Sequence, residues 1–152
     1  ALLTNTTPEG VTTYIDADVR EPETIISDAR NVLNFNEPIA VMLLGIMGHA
    51  AHDFETMQSI INRLMEPVVP GSYLVLLDGA RTDDEVYLAA VERAREVGHN
   101  YHLRTPEQLT ECFAGCDLVE PGLVPVNQWR PSGAEIDDQT PCNAWGAVGR
   151  KR

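Results

Sequence analysis

Two short runs, Ile39-Ala40-Val41-Met42-Leu43-Leu44 and Ser72-Tyr73-Leu74-Val75-Leu76-Leu77, constrain the fold more than any other feature of the chain. Each is apolar at nearly every position instead of alternating with polar residues. A strand of that kind needs cover on both faces, and strands covered by helices on both sides are usually parallel. Between the two runs, Phe54, Met57, Ile60, Ile61, Leu64 and Met65 recur at helical spacing. Asp53 stands where such a helix would take its N-cap. Strand, helix, strand in this order predicts an open α/β sheet.

The flanking sequence extends the pattern. Residues 11–15, Val-Thr-Thr-Tyr-Ile, are β-branched and aromatic and read as a further strand. Residues 22–33 read as a helix with Pro22 at its start. Thr82-Asp83-Asp84-Glu85 reads as a capping box that opens a helix running to Val97 and stopped by Gly98. Thr105-Pro106-Glu107-Gln108 reads as a second. Strands are expected at about 117–129, interrupted by Pro121-Gly122, and at 144–149. A loop is too short a connection for a helical crossover, so these last two should be antiparallel. Residues 131–141 read as a surface loop. The chain opens with Ala1-Leu2-Leu3, which reads as a helix entered midway, and a fragment of a larger domain is expected.

Charge narrows the partners. Eleven basic residues stand against twenty-three acidic ones, a net charge of −12. Such a chain is repelled by phosphate backbones, so the reading excludes nucleic acid and favours a small-molecule substrate. No apolar run reaches the ~18–20 residues that span a bilayer, so no membrane is expected. Cys112, Cys116 and Cys142 form no CxxC pair, which suits a reducing, cytoplasmic location. Cys112 and Cys116 are expected four apart on one helix as ordinary side chains. The sequence leaves the oligomeric state open.

In open α/β sheets, ligands bind beyond the carboxyl ends of the strands. Three such ends are legible: Asp16-Ala17-Asp18-Val19, Gly45-Ile46-Met47-Gly48-His49 and Asp78-Gly79. An aspartate there can accept from an exocyclic adenine amine while the next backbone N–H donates to a ring nitrogen. Gly45 and Gly48 would let the backbone pass close to a bulky ligand. The same residues also suit plain turns and caps. His49 and His52 stand three apart rather than four, so no metal is assigned. Tyr101-His102-Leu103-Arg104 is placed as a possible lid on the crevice.

These stretches resemble the actinobacterial S-adenosyl-methionine-dependent methyltransferases once catalogued as a domain of unknown function. The likeness is carried by residues 14–23, 42–49, 70–76, 78–79 and 101–107, then by Leu118-Val119-Glu120-Pro121-Gly122, Trp129-Arg130-Pro131 and residues 146–151, all in register. It implies an α/β, Rossmann-like class I methyltransferase sheet, mostly parallel with a carboxyl-terminal antiparallel hairpin, whose first two strands are absent from the chain. It also implies S-adenosyl-methionine as cofactor. Carried over by position, Asp18 and Val19 read the adenine, and Gly45, Ile46, Met47 and Gly48 flank the methyl group. His49, Asp78, Tyr101 and Arg104 are expected at the substrate pocket. The candidate bases are His49, Asp78 and His102.

By the same resemblance, the glycine-rich loop for the methionine end and the acid for the ribose lie outside these residues. The isolated 152-residue chain is therefore expected to bind the cofactor weaker than ~1 mM and to be inactive. A nicotinamide-dependent oxidoreductase and a non-catalytic interaction module are the alternatives. Stabilisation by NAD would favour the first, and a second polypeptide completing the sheet would favour the second.

Overall fold

In the computed structural model, residues 10–132, 140 and 142–152 are described. The elements run α1 (Pro22–Ala29), β1 (Ala40–Leu44), α2 (Met47–Ala50), α3 (Phe54–Met65), β2 (Tyr73–Gly79), α4 (Glu85–Glu96), α5 (Pro106–Glu111), β3 (Cys116–Leu118), β4 (Val124–Pro125) and β5 (Ala144–Lys151). The two apolar runs are β1 and β2, paired in parallel with Ala40 opposite Tyr73 and Leu44 opposite Leu77.

β5 enters the sheet between β2 and β3 and runs antiparallel to both, while β4 also pairs with β5. The sheet is mixed: one pairing is parallel and three are antiparallel. The expected antiparallel pairing of the last two segments forms, β5 running against β3 and β4, and β5 also lies beside β2. Glycines suit this position: a Cβ on Gly146 would sit 3.2 Å from the Leu76 carbonyl oxygen, and one on Gly149 would sit 2.6 Å from the Phe113 ring. The strand expected over 117–129 breaks into β3, β4 and a 3₁₀ turn at Val126–Gln128.

One face of the sheet carries the core. Leu43, Leu74, Leu76 and Ala147 pack under Met57, Ile60, Ile61 and Leu64 of α3 and Leu109 of α5. Asp53 caps α3 as expected, its Oδ1 accepting from Thr56 N at 2.7 Å. The opposite face differs from the expectation of double cover. Met42 and Leu44 are each 57 % exposed, and Val75 and Leu77 are only partly covered. Leu44, Val75, Leu77, Val126, Trp129 and Val148 line an open apolar hollow of about 240 Å³ there.

Other local expectations change for identifiable reasons. Residues 11–15 join no strand among the described residues, and Val11 and Tyr14 are 79 % and 81 % exposed. β propensity records how well a side chain suits a pleated, half-buried surface, and without a neighbouring strand it forms no ladder. The N-cap of α4 is Asp84 rather than Thr82: Asp84 Oδ1 accepts from Tyr87 N at 3.0 Å, whereas the Thr82 hydroxyl donates to Asn143 Oδ1. The Thr105 capping box forms as read, with reciprocal bonds to Gln108. Cys112 caps the end of α5 and Cys116 begins β3, so they do not share a helix. Burial pushes the Cys112 thiol up to about 12. Of the expected surface loop, residues 133–139 and 141 lie outside the described residues.

Candidate functional site

The carboxyl ends of β1 and β2 lie side by side because the two strands are parallel and in register. β1 gives way to Gly45, whose φ of +75° lies in the left-handed region where glycine is at no steric disadvantage. The Gly45 N–H donates to the Leu77 carbonyl at 2.7 Å, tying this turn to β2. The chain then winds into the single turn of α2, which carries Met47, Gly48 and His49.

Asp78 ends the buried face of β2 and is only 2 % exposed. A buried carboxylate is costly unless its oxygens are occupied. Here Oδ2 accepts from Gly48 N at 3.0 Å, Oδ1 accepts from Gly79 N at 2.9 Å, and the Tyr101 hydroxyl donates to Oδ1. Burial still raises its pKa above the usual carboxylate value, and the N–H donors of Gly79 and Gly48 offset this in part. The Tyr101 oxygen also accepts from Gly79 N at 2.9 Å. Its ring lies over both glycines. A Cβ on Gly48 would overlap it, and one on Gly79 would sit 2.7 Å from its Cε1.

Arg104 is the second buried charge, 5 % exposed. Its Nη2 donates to the carbonyls of Ala51 and Asp53 at 2.7 and 2.9 Å, and its Nη1 donates to that of His102 at 2.7 Å. Burial lowers its pKa, and the negative charge of Asp78 works against that shift. Asp78 at one end and Arg104 at the other therefore brace α2, and His102 N donates to the Gly48 carbonyl between them at 2.7 Å. The His102 ring is partly buried, which lowers its pKa.

His49 is exposed on this braced turn. Its Nδ1 lies 3.1 Å from the Asn100 carbonyl, and its ring meets Tyr101 edge-on with centroids 4.7 Å apart and planes at 84°. His52 instead turns to Asp53, with Nε2 and Oδ2 2.7 Å apart.

The Asp18 end is built differently. Both carboxylate oxygens engage Arg20, through its backbone N–H at 2.9 Å and its Nε and Nη2. Those side-chain bonds hold its pKa down to about 2. Val19 turns inward and lines an apolar groove of about 370 Å³ that Ile46 and Met42 also border.

Of the residues singled out from the sequence, the structure joins Val19 with Ile46, and His49 with Asp78, Tyr101, His102 and Arg104. It sets Met47 in the core, fully buried, and Gly48 beneath Tyr101. Asp78 and Arg104, expected at the substrate pocket, are buried and held by internal bonds, with Arg104 Nε left without a partner among the described residues. Their partners are mostly backbone groups, which composition cannot display. The Asn100 carbonyl was missed for the same reason.

A protein of the DUF574 family from Streptomyces avermitilis is 32% identical and superposes with a TM-score of 0.88, over 96% of this chain and 57% of that one. A candidate methyltransferase from Thermobifida fusca is 29% identical with a TM-score of 0.79, over 90% of this chain and 52% of that one. The chain thus spans a little over half the length of either. No curated protein matches it. The sequence model of the family described as S-adenosyl methyltransferase matches residues 1–152, and the chain belongs to that family.

Proposed function

We propose that this protein takes part in methyl transfer from S-adenosyl-methionine to a small-molecule acceptor, in the crevice beyond the carboxyl ends of β1 and β2. The observation that carries the reading is the meeting of Val19 and Ile46 on one apolar groove beside the exposed carboxylate of Asp18. An adenine is a flat apolar ring with a polar edge, and these residues suit both parts. Asp18 would accept from its amino group, the Val19 N–H would donate to a ring nitrogen, and Val19 and Ile46 would hold its faces. Bound there, the sulfonium supplies an electrophilic methyl carbon.

The chain's own work is alignment and exclusion of water, which together lower the barrier of a bimolecular displacement. Gly45 and Ile46 are the parts of their loop free to meet the cofactor, since Met47 and Gly48 are buried. Tyr101 and the bracing of α2 fix where an acceptor could lie. A net charge of −12 supports an uncharged or cationic small molecule over a polyanion. We further place the site within a larger methyltransferase domain whose sheet continues past β1, because β1 pairs with β2 alone among the described residues and its other edge is open. Three free cysteines support the cytoplasm as its location.

Calorimetric titration of the full-length protein with S-adenosyl-homocysteine tests the reading. Asp18→Ala should weaken binding about tenfold, the value of one good hydrogen bond to a ligand, with unchanged circular dichroism. Equal affinity in the variant would overturn the adenine assignment. Absence of binding by the wild type would overturn the methyltransferase reading.

A further inference from the structure

We propose that His49 is the general base of this site and that its Nε2 takes a proton from an acceptor hydroxyl or amine; the proposal rests on the methyltransferase reading above. The argument starts from hydrogen-bond chemistry. A backbone carbonyl can only accept, so the 3.1 Å contact between Nδ1 and the Asn100 oxygen requires the proton of the neutral ring to sit on Nδ1. Nε2 then keeps its lone pair, and it has no partner among the described residues. The ring orientation is fixed by more than that one bond. Tyr101 packs edge-on against it, and Tyr101 is itself held by Asp78 and by Gly79 N. The backbone under His49 is braced through Gly48 N to Asp78 and through the Gly48 carbonyl to His102 N. An exposed imidazole of fixed tautomer, on a fixed turn beyond the end of β1, has the features of a preorganised proton acceptor.

The other two candidates lack this combination. The oxygens of Asp78 are engaged under Tyr101 in a residue only 2 % exposed, and the partly buried His102 ring has no hydrogen-bond partner among the described residues to fix its tautomer or orientation.

The step balances simply. The acceptor O–H or N–H bond breaks and its proton passes to Nε2, giving an imidazolium. The electron pair left on the acceptor atom forms the new bond to the methyl carbon. The pair of the broken carbon–sulfur bond stays on sulfur as a neutral thioether. The inference therefore assigns a substrate class: acceptors that must lose a proton, such as alcohols, phenols and amines, and not thioethers or tertiary amines.

The full-length protein labelled with ¹⁵N-histidine provides the test, by long-range ¹H–¹⁵N correlation above the histidine titration range. His49→Asn identifies the His49 signals and keeps a donor toward Asn100. The expected result is a protonated Nδ1 and an unprotonated Nε2, and the opposite tautomer would overturn the proposal. In parallel, titration with S-adenosyl-homocysteine should give the same affinity for wild type and His49→Asn. A loss above tenfold would make His49 a cofactor contact and overturn its role as base. Loss of binding in both proteins sinks the methyltransferase reading instead, so the two failures are distinguishable. With proton-bearing acceptors that the wild type methylates, His49→Asn should lower kcat by ~10²–10⁴ with KM nearly constant. Activity confined to acceptors without a dissociable proton would count against it.

Discussion

Two aspartates mark the two ends of the crevice, and they are built on opposite principles. Asp78 is buried, and its oxygens collect protons from three different segments: α2, the end of β2 and the stretch before α5. Asp18 is exposed, and its bonds go to a residue two positions along the chain. The first aspartate organises tertiary structure. The second organises a turn and stays exposed to solvent. A residue type at a strand end therefore does not reveal its role; what reveals it is whether its partners are distant or local in sequence.

The largest test of this contrast is Asp78→Ala. It would leave the Gly48 N–H and the Tyr101 hydroxyl proton unpaired and remove the negative charge that offsets the buried Arg104 guanidinium. Breaking one side of a buried charged network costs about 3–5 kcal/mol, and urea unfolding should show that loss. Asp18→Ala breaks only an exposed ion pair and should lower the unfolding midpoint far less. A similar loss in both variants would erase the distinction.

Gly48→Ala sharpens the same point from the backbone side. The added methyl would overlap the Tyr101 ring, so the ring must leave Asp78 and Gly79. Overpacking of this kind costs about 1–3 kcal/mol, and the variant should expose Tyr101, seen as a shift in tyrosine fluorescence. Gly45→Ala has open space for its methyl but a left-handed φ, so strain alone should account for its smaller loss. Tyr101→Phe keeps the ring over Gly48 and removes only its hydroxyl. Since Asp78 keeps the donors from Gly48 and Gly79, the expected loss is about 1 kcal/mol.

The contrast also shows what a sequence can display. The runs that became β1 and β2 were legible because their signal is local and repeated: apolar side chains at consecutive positions. The caps at Asp53 and Thr105 were legible because they depend on residues three apart. Thr82 was misread since Asp84 offers the same chemistry two positions later, and Asn143, far along the chain, decides which one caps. Residues 11–15 have a strand's composition, but a strand exists only through its neighbour. The expectation of double cover failed similarly, because apolar side chains show that a face needs cover and not what supplies it. At the site, His49, Asp78 and Arg104 were visible as residue types. Their roles depend on carbonyls and N–H groups of Asn100, Gly48 and Ala51, which every sequence contains.

The finest test is the sign of the pH dependence at the two aspartates. Burial raises the Asp78 pKa, so the folded protein holds this proton more tightly than the unfolded chain, where an aspartate titrates at about 3.9. Its contribution to stability is therefore full below that value and is lost as pH rises through the higher folded value. Asp18 behaves oppositely. Arg20 holds it down to about 2, so its contribution is present above about 3.9 and is lost as pH falls through about 2. Acidification also relieves the general repulsion among twenty-three acidic residues, so the comparison needs variants in which that background cancels. Urea midpoints of wild type, Asp78→Asn and Asp18→Asn between about pH 7 and about pH 3 supply it. Acidification should improve the wild type relative to Asp78→Asn and weaken it relative to Asp18→Asn. Parallel trends in the two differences would mean that burial does not govern Asp78, and the contrast between the two ends of the crevice would fall with it.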